Sequence, residues 1–287
     1  NTLSRPFAQY FRGVLMALQR GQFGNTVYFL GEMKAGGWKN YFPILYTVKE
    51  PVTLHLLTLM GSIGILFFII KRKLAKERFT LFAFLFFIAA YWAAALAGSL
   101  NIGIRHMLPT FPFIYILTVW GLKEFVNAFS SSRLRRAAIF VVLIFLGWYA
   151  VSSLRAFPHY ISYYNELAGG VQNGYTIAVD SNYDWGQDFY RLLEFVEKNK
   201  IEKLHLDHFG GENPQYWLGE KYVKFEPCKT EPCQYPKGWI AVSLNQLMGG
   251  IAKPAPGFDQ TTGYYEWLNQ YTPITRAGNS IFIYHIE

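Results

Sequence analysis

Charge is what this sequence has little of. Only 16% of its 287 residues are Asp, Glu, Lys or Arg, well under the quarter usual for a soluble domain, which excludes a chain whose whole surface faces water. Cysteine is scarcer still. The two present, Cys228 and Cys233, cannot build a disulfide-dense scaffold or a cysteine-rich metal fold. No Gly-rich phosphate loop, HExxH, Cys/His metal spacing or Ser/His/Asp order stands out, and there is no repeat or low-complexity tract. No signal peptide opens the chain. It begins with Asn1 rather than Met, and the expectation is the C-terminal portion of a longer protein.

What is present is apolar. Hydrophobic residues reach 52% and aromatics 18%, a composition suited to surface at lipid or headgroup depth. The apolar residues concentrate between Val52 and Leu154, whereas the part after Pro158 has a water-soluble pattern. The expected fold is an α-helical membrane block of about four transmembrane helices followed by a small extracytoplasmic α/β domain. Its parts are a loop with an interfacial helix over 1–51, the membrane block over 52–154 and the α/β domain over 158–287.

Within 1–51, Phe7, Tyr10, Phe11, Val14, Leu15 and Leu18 share one face of a helix from Pro6 to Arg20, with Arg5, Arg12 and Arg20 off that face. This pattern suits the membrane interface, and equally an ordinary packed surface helix. The Gly- and aromatic-rich stretch from Gly21 to Pro43 has no clean period and reads as an ordered loop. Spans are expected at 52–70, 79–97, 107–122 and 137–154, each approaching the length needed to cross about 30 Å of hydrocarbon.

Loop charge sets the orientation. Lys71, Arg72, Lys73, Lys76 and Arg78 fill the first connection, and Lys123, Arg133, Arg135 and Arg136 the third. The loop between them, Gly98 to Leu108, carries Arg105 alone. Positive charge stays cytoplasmic, so the N-terminal segment, the Arg105 loop and everything after Arg155 share the outer face. The +8 formal charge is then a topology signal, and no nucleic-acid partner is expected.

After Pro158 the expected elements are strands at Tyr175–Val179, Lys203–His208, Lys221–Phe225, Trp239–Leu244 and Ser280–Ile286. Helices are expected around Phe189–Val196 and Tyr264–Asn269. CKTEPC reads as a small-loop disulfide, or two idle thiols, in preference to a metal site, since no His lies nearby in sequence.

Three stretches carry possible chemistry. Arg105 at the outer surface suits bidentate binding of a lipid phosphate, with headgroup snorkelling an equal reading. His106 can bond the same phosphate or cap the next helix. Lys49 and Glu50 form a second polar pair at that level, able to contact a phosphate or to make a plain ion pair. DSNYDWGQD, with Asp180, Asn182, Asp184 and Trp185, has the acceptors, donors and indole face that bind sugar hydroxyls. Asp180 and Ser181 can equally end a strand and cap the following helix. His55 is the lone ionisable residue inside the expected spans, too little for a transporter or channel.

VYFLG, WKNYFP, VKEP, NIGIRHMLPTFPF and YYNELAGG…NGY…DSNYDWGQD, in this order, together resemble the C-terminal half of bacterial family 39 glycosyltransferases. These are GT-C membrane enzymes related to protein O-mannosyltransferases and the aminoarabinose transferase of lipid A. The resemblance runs from about Gln22 to the C-terminus. It implies a multi-pass protein of the bacterial inner membrane that moves a sugar from a polyprenyl-phosphate carrier to a glycan, lipid or protein acceptor on the extracytoplasmic face. The catalytic acidic residue is then expected upstream of Asn1. Lys49, Arg105 and His106 would lie on the lipid-phosphate side, with Tyr28 and Trp38 as aromatic walls. VKEP departs from the Lys-Thr-Pro expected there, so Glu50 weakens a pure phosphate role for that spot. Sugar, acceptor and any divalent-cation requirement stay open. The alternative is a non-catalytic membrane-anchored sensor or assembly protein whose α/β domain binds a ligand.

Overall fold

The computed structural model describes residues 4–71, 78–230 and 232–287. Arg72, Lys73 and Lys76 of the first basic loop therefore lie outside the described residues. The chain opens with α1 (Arg5–Phe23), whose apolar face is bare, Phe7 and Tyr10 being about 70% exposed. An ordinary surface helix packed on the body does not match this. Next comes a hairpin of β1 (Thr26–Phe29) and β2 (Glu32–Ala35), where an ordered loop is expected from the sequence. Its two-residue turn, Leu30-Gly31, has positive φ at both positions, the geometry that lets strands reverse without splaying.

Helices α2 (Tyr41–Lys49), α3 (Val52–Ile70), α4 (Arg78–Ala97), α5 (Phe111–Asn127) and α6 (Ser132–Ala156) follow. By length and composition α3, α4 and α6 are long and apolar enough to cross a membrane. The third expected span, 107–122, is corrected. Residues Ile104–Thr110 form a 3-10 turn that contains Pro109, and α5 starts only at Phe111, with Pro112 in its first turn. Proline lacks the N–H and fits a first turn but not a helix interior. The remaining 17 residues span about 26 Å at 1.5 Å each.

α3 and α5 form the tightest helix pair. A Cβ on Gly64 would overlap the Gly121 carbonyl oxygen, and one on Gly121 would overlap that of Gly61. Small residues let the two backbones touch, a packing available without any hydrophobic drive between helices.

The second half is an α/β layer. A five-stranded sheet runs in the order β4 (Tyr222–Lys224), β3 (Leu204–Asp207), β5 (Gly238–Ser243), β8 (Ile281–Ile286), β7 (Thr275–Ala277). β3 is parallel to β4 and β5, while β8 is antiparallel to β5 and β7. Phe189, Leu192 and Val196 of α7 (Phe189–Lys198) bury against Leu204, Leu206, Ile281 and Ile283, as the three- and four-residue spacing requires. α8 (Pro214–Leu218) follows β3, and α9 (Leu244–Ile251) follows β5. β6 (Lys253–Pro254) pairs with β2, sewing the hairpin to this layer. Tyr175–Val179 is not a strand: Gly174–Thr176 is a 3-10 turn packed under the Tyr164 ring. The helix expected near Tyr264 is likewise a 3-10 turn, Glu266–Gln270. One hydrophobic core runs through the hairpin, α2, Met107, Phe111, Tyr164 and the sheet face of Ile240, Val242 and Tyr284.

Gly64→Ala and Gly121→Ala should each lower stability by about 1–3 kcal/mol through overpacking. Gly147→Ala meets nothing within 4 Å and should instead gain up to about 1 kcal/mol of helix propensity. Thermal unfolding of the three variants in detergent tests this difference in sign.

Candidate functional site

The ends of α3 near Pro51, of α4 near Ala97, of α5 near Phe111 and of α6 near Ala156 gather on one side, and there the 101–106 loop meets the turn Asp180–Asn182. Ser181 Oγ donates to the Ile102 carbonyl at 2.6 Å, and the Ile104 N–H donates to Asn182 Oδ1 at 3.0 Å. The approach is close enough that a Cβ on Gly103 would overlap Ser181 Oγ. The two most distinctive polar stretches of the sequence thus lie against one another.

Asn182 is the hub. It is fully buried, and besides Ile104 it serves Tyr41 and Lys49. Its Nδ2 donates to Tyr41 Oη at 2.8 Å and to the Val179 carbonyl at 3.1 Å. Its own carbonyl accepts from Lys49 Nζ at 2.7 Å. Lys49 completes its three donors on the carbonyls of Ile161 and Tyr163, at 2.8 and 2.7 Å, and sits over the Tyr164 ring. All three protons being spent on backbone oxygens, this ammonium positions the 161–165 segment, and an incoming phosphate would have to displace one of those bonds. Asn165 reinforces the junction by meeting the orphan carbonyls at the end of α2. Its N–H bonds Val48 O, and its Nδ2 bonds Thr47 O and Glu50 O, at 2.7–2.8 Å. Nothing in the local sequence marks the Tyr41 hydroxyl as a partner of this junction. The only signal for Asn165 was its place in YYNELAGG, ahead of a turn.

Arg105 and His106 present themselves differently. The Arg105 guanidinium lies 4.7 Å from the centre of the half-exposed Trp185 ring, which itself packs edge-on to Phe209. No carboxylate pairs with Arg105 and no group accepts its hydrogen bonds among the described residues. His106 faces a cavity of about 350 Å³ lined by Phe42, Tyr91, Ala95 and Leu100. Its Nε2 is buried there without a partner among the described residues. Burial and the neighbouring Arg105 charge both lower its pKa.

The carboxylates have distinct surroundings. Asp184 is fully buried, with Oδ2 accepting the Asn245 N–H in the first turn of α9 and Oδ1 that of Gly186. It steadies a helix N-terminus from outside, although burial pushes it up to about 7. Asp188 accepts from Asn279 N, Ser280 N and Ser280 Oγ and pairs with Arg191 at 2.8 Å. Asp180 neither ends a strand nor caps a helix. It stands at φ 55°, a region Asp tolerates better than most residues, and burial raises its pKa against the opposing Ser181 N–H and Arg105. Tyr28 Oη donates to Thr176 O. Trp38 gives its backbone N–H to Asn101 Oδ1, and its indole N–H is buried without a partner among the described residues. Cys228 and Cys233 are disulfide-bonded. His55 bonds the Thr47 carbonyl at 3.0 Å.

Glu212, His208 and Ser243 form a line that looks like a catalytic relay. His208 Nε2 is 3.2 Å from Glu212, but its Nδ1 is 3.5 Å from Ser243 Oγ. That oxygen is fully buried and already accepts the Phe209 N–H. The line therefore ties β3 to β5. No three His, Cys, Asp or Glu side chains gather as a metal site among the described residues. No protein-family model, curated protein or solved structure matches the chain.

Replacing Asn182 with Ala orphans several buried groups, each costing about 1–3 kcal/mol, whereas Arg105→Ala loses one exposed stacking contact of about 0.5–1 kcal/mol. Unfolding midpoints should separate the two clearly. Burial raises Glu50 to about 7 and lowers Lys49 to about 7, each opposed by the other's charge. A raised carboxyl contributes stability that is complete below its unfolded value of 4.5 and lost as pH rises through 7. Glu50→Gln should therefore remove part of the fall in melting temperature between pH 4.5 and 7, measured against the wild type.

Proposed function

We propose that the chain is the C-terminal part of a multi-pass bacterial inner-membrane glycosyltransferase, with the 101–106 loop and the α/β layer on the extracytoplasmic face. It would take its sugar from a polyprenyl phosphate and pass it to a glycan, lipid or protein acceptor. One observation carries the reading. At the end of three helices apolar enough to span a bilayer, a short turn holds two adjacent groups that have no hydrogen-bond partner among the described residues, the exposed, stacked Arg105 guanidinium and the buried His106 Nε2. Unsatisfied cationic and imidazole groups at headgroup depth suit a lipid phosphate, and the apolar cavity beside His106 suits the first part of its hydrocarbon chain.

In transfer, the acceptor hydroxyl oxygen bonds the anomeric carbon and gives up its proton to the assisting acidic group in its carboxylate form, while the bond from that carbon to the phosphate oxygen breaks. The leaving phosphate gains negative charge, and Arg105 stabilises it. Lys49 and Asn182 act through position, by holding the loops that present Arg105. The acidic group that assists displacement is assigned to a segment outside this chain. The sensor alternative needs an α/β domain that folds and binds alone, which fits poorly with a core shared with α2 and α5.

In the complete protein, Arg105→Ala should reduce sugar transfer by about 100-fold or more, the usual cost of losing one charge-stabilising donor, with membrane level unchanged and only the small fall in melting temperature that one lost stacking contact brings. Arg105→Lys should recover part of the rate. Wild-type turnover in Arg105→Ala would remove the phosphate assignment.

A further inference from the structure

A second cavity, of about 160 Å³, lies between the hairpin and α9 and is apart from the His106 cavity. Its chemistry is set by Tyr28, Tyr41, Asp180, Asn245, Gln246 and Tyr264. It is smaller than the ~300–1,000 Å³ clefts that hold drug-sized ligands, yet several times the volume of a water. A single small ring fits it and a lipid chain does not.

Several polar groups of this wall are left over once the internal bonds are assigned. Tyr41 is 1% exposed. Its oxygen accepts from Asn182 Nδ2, so the hydroxyl proton points elsewhere, and no described group accepts it. Asp180 spends Oδ1 on the Ser181 N–H, and no described group bonds Oδ2. Asn245 spends Oδ1 on the Asp180 N–H, leaving its Nδ2 without a hydrogen bond among the described residues. The wall thus offers a hydroxyl donor, a carboxylate acceptor and an amide donor, beside the ring of Tyr264. No Lys, Arg or His lines it, although Lys229 Nζ stands 4.9 Å from the centre of the Tyr264 ring, and the Asp180 carboxyl in the wall disfavours a phosphate or another anion.

We infer that this cavity binds one neutral sugar ring. Asp180 and Tyr41 would bracket neighbouring ring hydroxyls, Asn245 would donate to a ring oxygen, and Tyr264 would cover a C–H face. Alternating donors and acceptors with an apolar platform match a polyhydroxylated ring, and polar positions left free of internal bonds are available to its hydroxyls. The site stands on this geometry alone and holds whether or not the chain belongs to a transferase.

Gly249 gives a way to close the cavity without touching its polar groups. It lines the wall, and a Cβ there meets only Met33 Cε, at 3.9 Å, so a Leu side chain grows into the empty volume. Saturation-transfer NMR on the whole chain in nanodiscs, with the methyl glycosides of mannose, galactose and N-acetylglucosamine as probes, reads the binding. At least one probe should bind saturably. Tyr41→Phe and Asp180→Asn should each weaken it about tenfold or more, Asn being at ease at the positive φ of this position. Gly249→Leu should abolish it with the melting temperature kept or raised. The inference is overturned if none of the three probes binds, or if binding persists unchanged in Gly249→Leu.

Discussion

A buried amide bonded through its oxygen and through both of its amide protons holds the two halves of this protein together. Asn182 takes the N–H of Ile104, gives its two amide protons to Tyr41 and Val179, and lends its carbonyl to Lys49. Each of these partners would otherwise be a polar group left dry, at a cost larger than the bond itself contributes. The network therefore dictates which loop faces which, and the apolar packing around it follows. Lys49 is the clearest case. A cation that deep is costly unless its solvation is replaced, and three carbonyls replace it.

The consequence is structural. The 101–106 loop, the end of α2 and the 180–185 turn share one continuous core with the α/β layer. Arg105 and Trp185 sit on the exposed rim of that unit. A guanidinium on an aromatic-backed support loses little freedom on meeting a ligand, which is how preorganisation turns a surface arginine into a recognition group. The bare apolar face and three arginines of α1 extend the same end, tied by Ser99 Oγ to the Gly21 and Gln22 carbonyls. That face suits a lipid surface.

Much of the fold is legible in the sequence where one period governs a segment. Three apolar runs, α7 and the strands at 204, 222, 238 and 281 answer to local pattern alone. The hairpin does not, since its turn is Leu-Gly rather than the familiar Asn-Gly, and Leu30 takes φ 51°. Nor does Tyr175–Val179, where a short apolar run suggests a strand but the chain coils under Tyr164. At the site, Arg105, Asn182 and Trp185 stand out by residue type. The partners of Asn182 do not, because Tyr41 lies 141 residues away and nothing local marks its hydroxyl. Sequence order likewise cannot show that Lys49 is committed to carbonyls, or that Asp184 and Asp188 hold backbone turns instead of facing a ligand.

The most direct test of the account is binding of a polyprenyl monophosphate to the chain in nanodiscs, followed by native mass spectrometry. Saturable binding that disappears in Arg105→Ala, with the protein still folded, is the predicted result. Binding of equal strength in Arg105→Ala and wild type would contradict the claim that this end of the helices exists to hold a lipid phosphate.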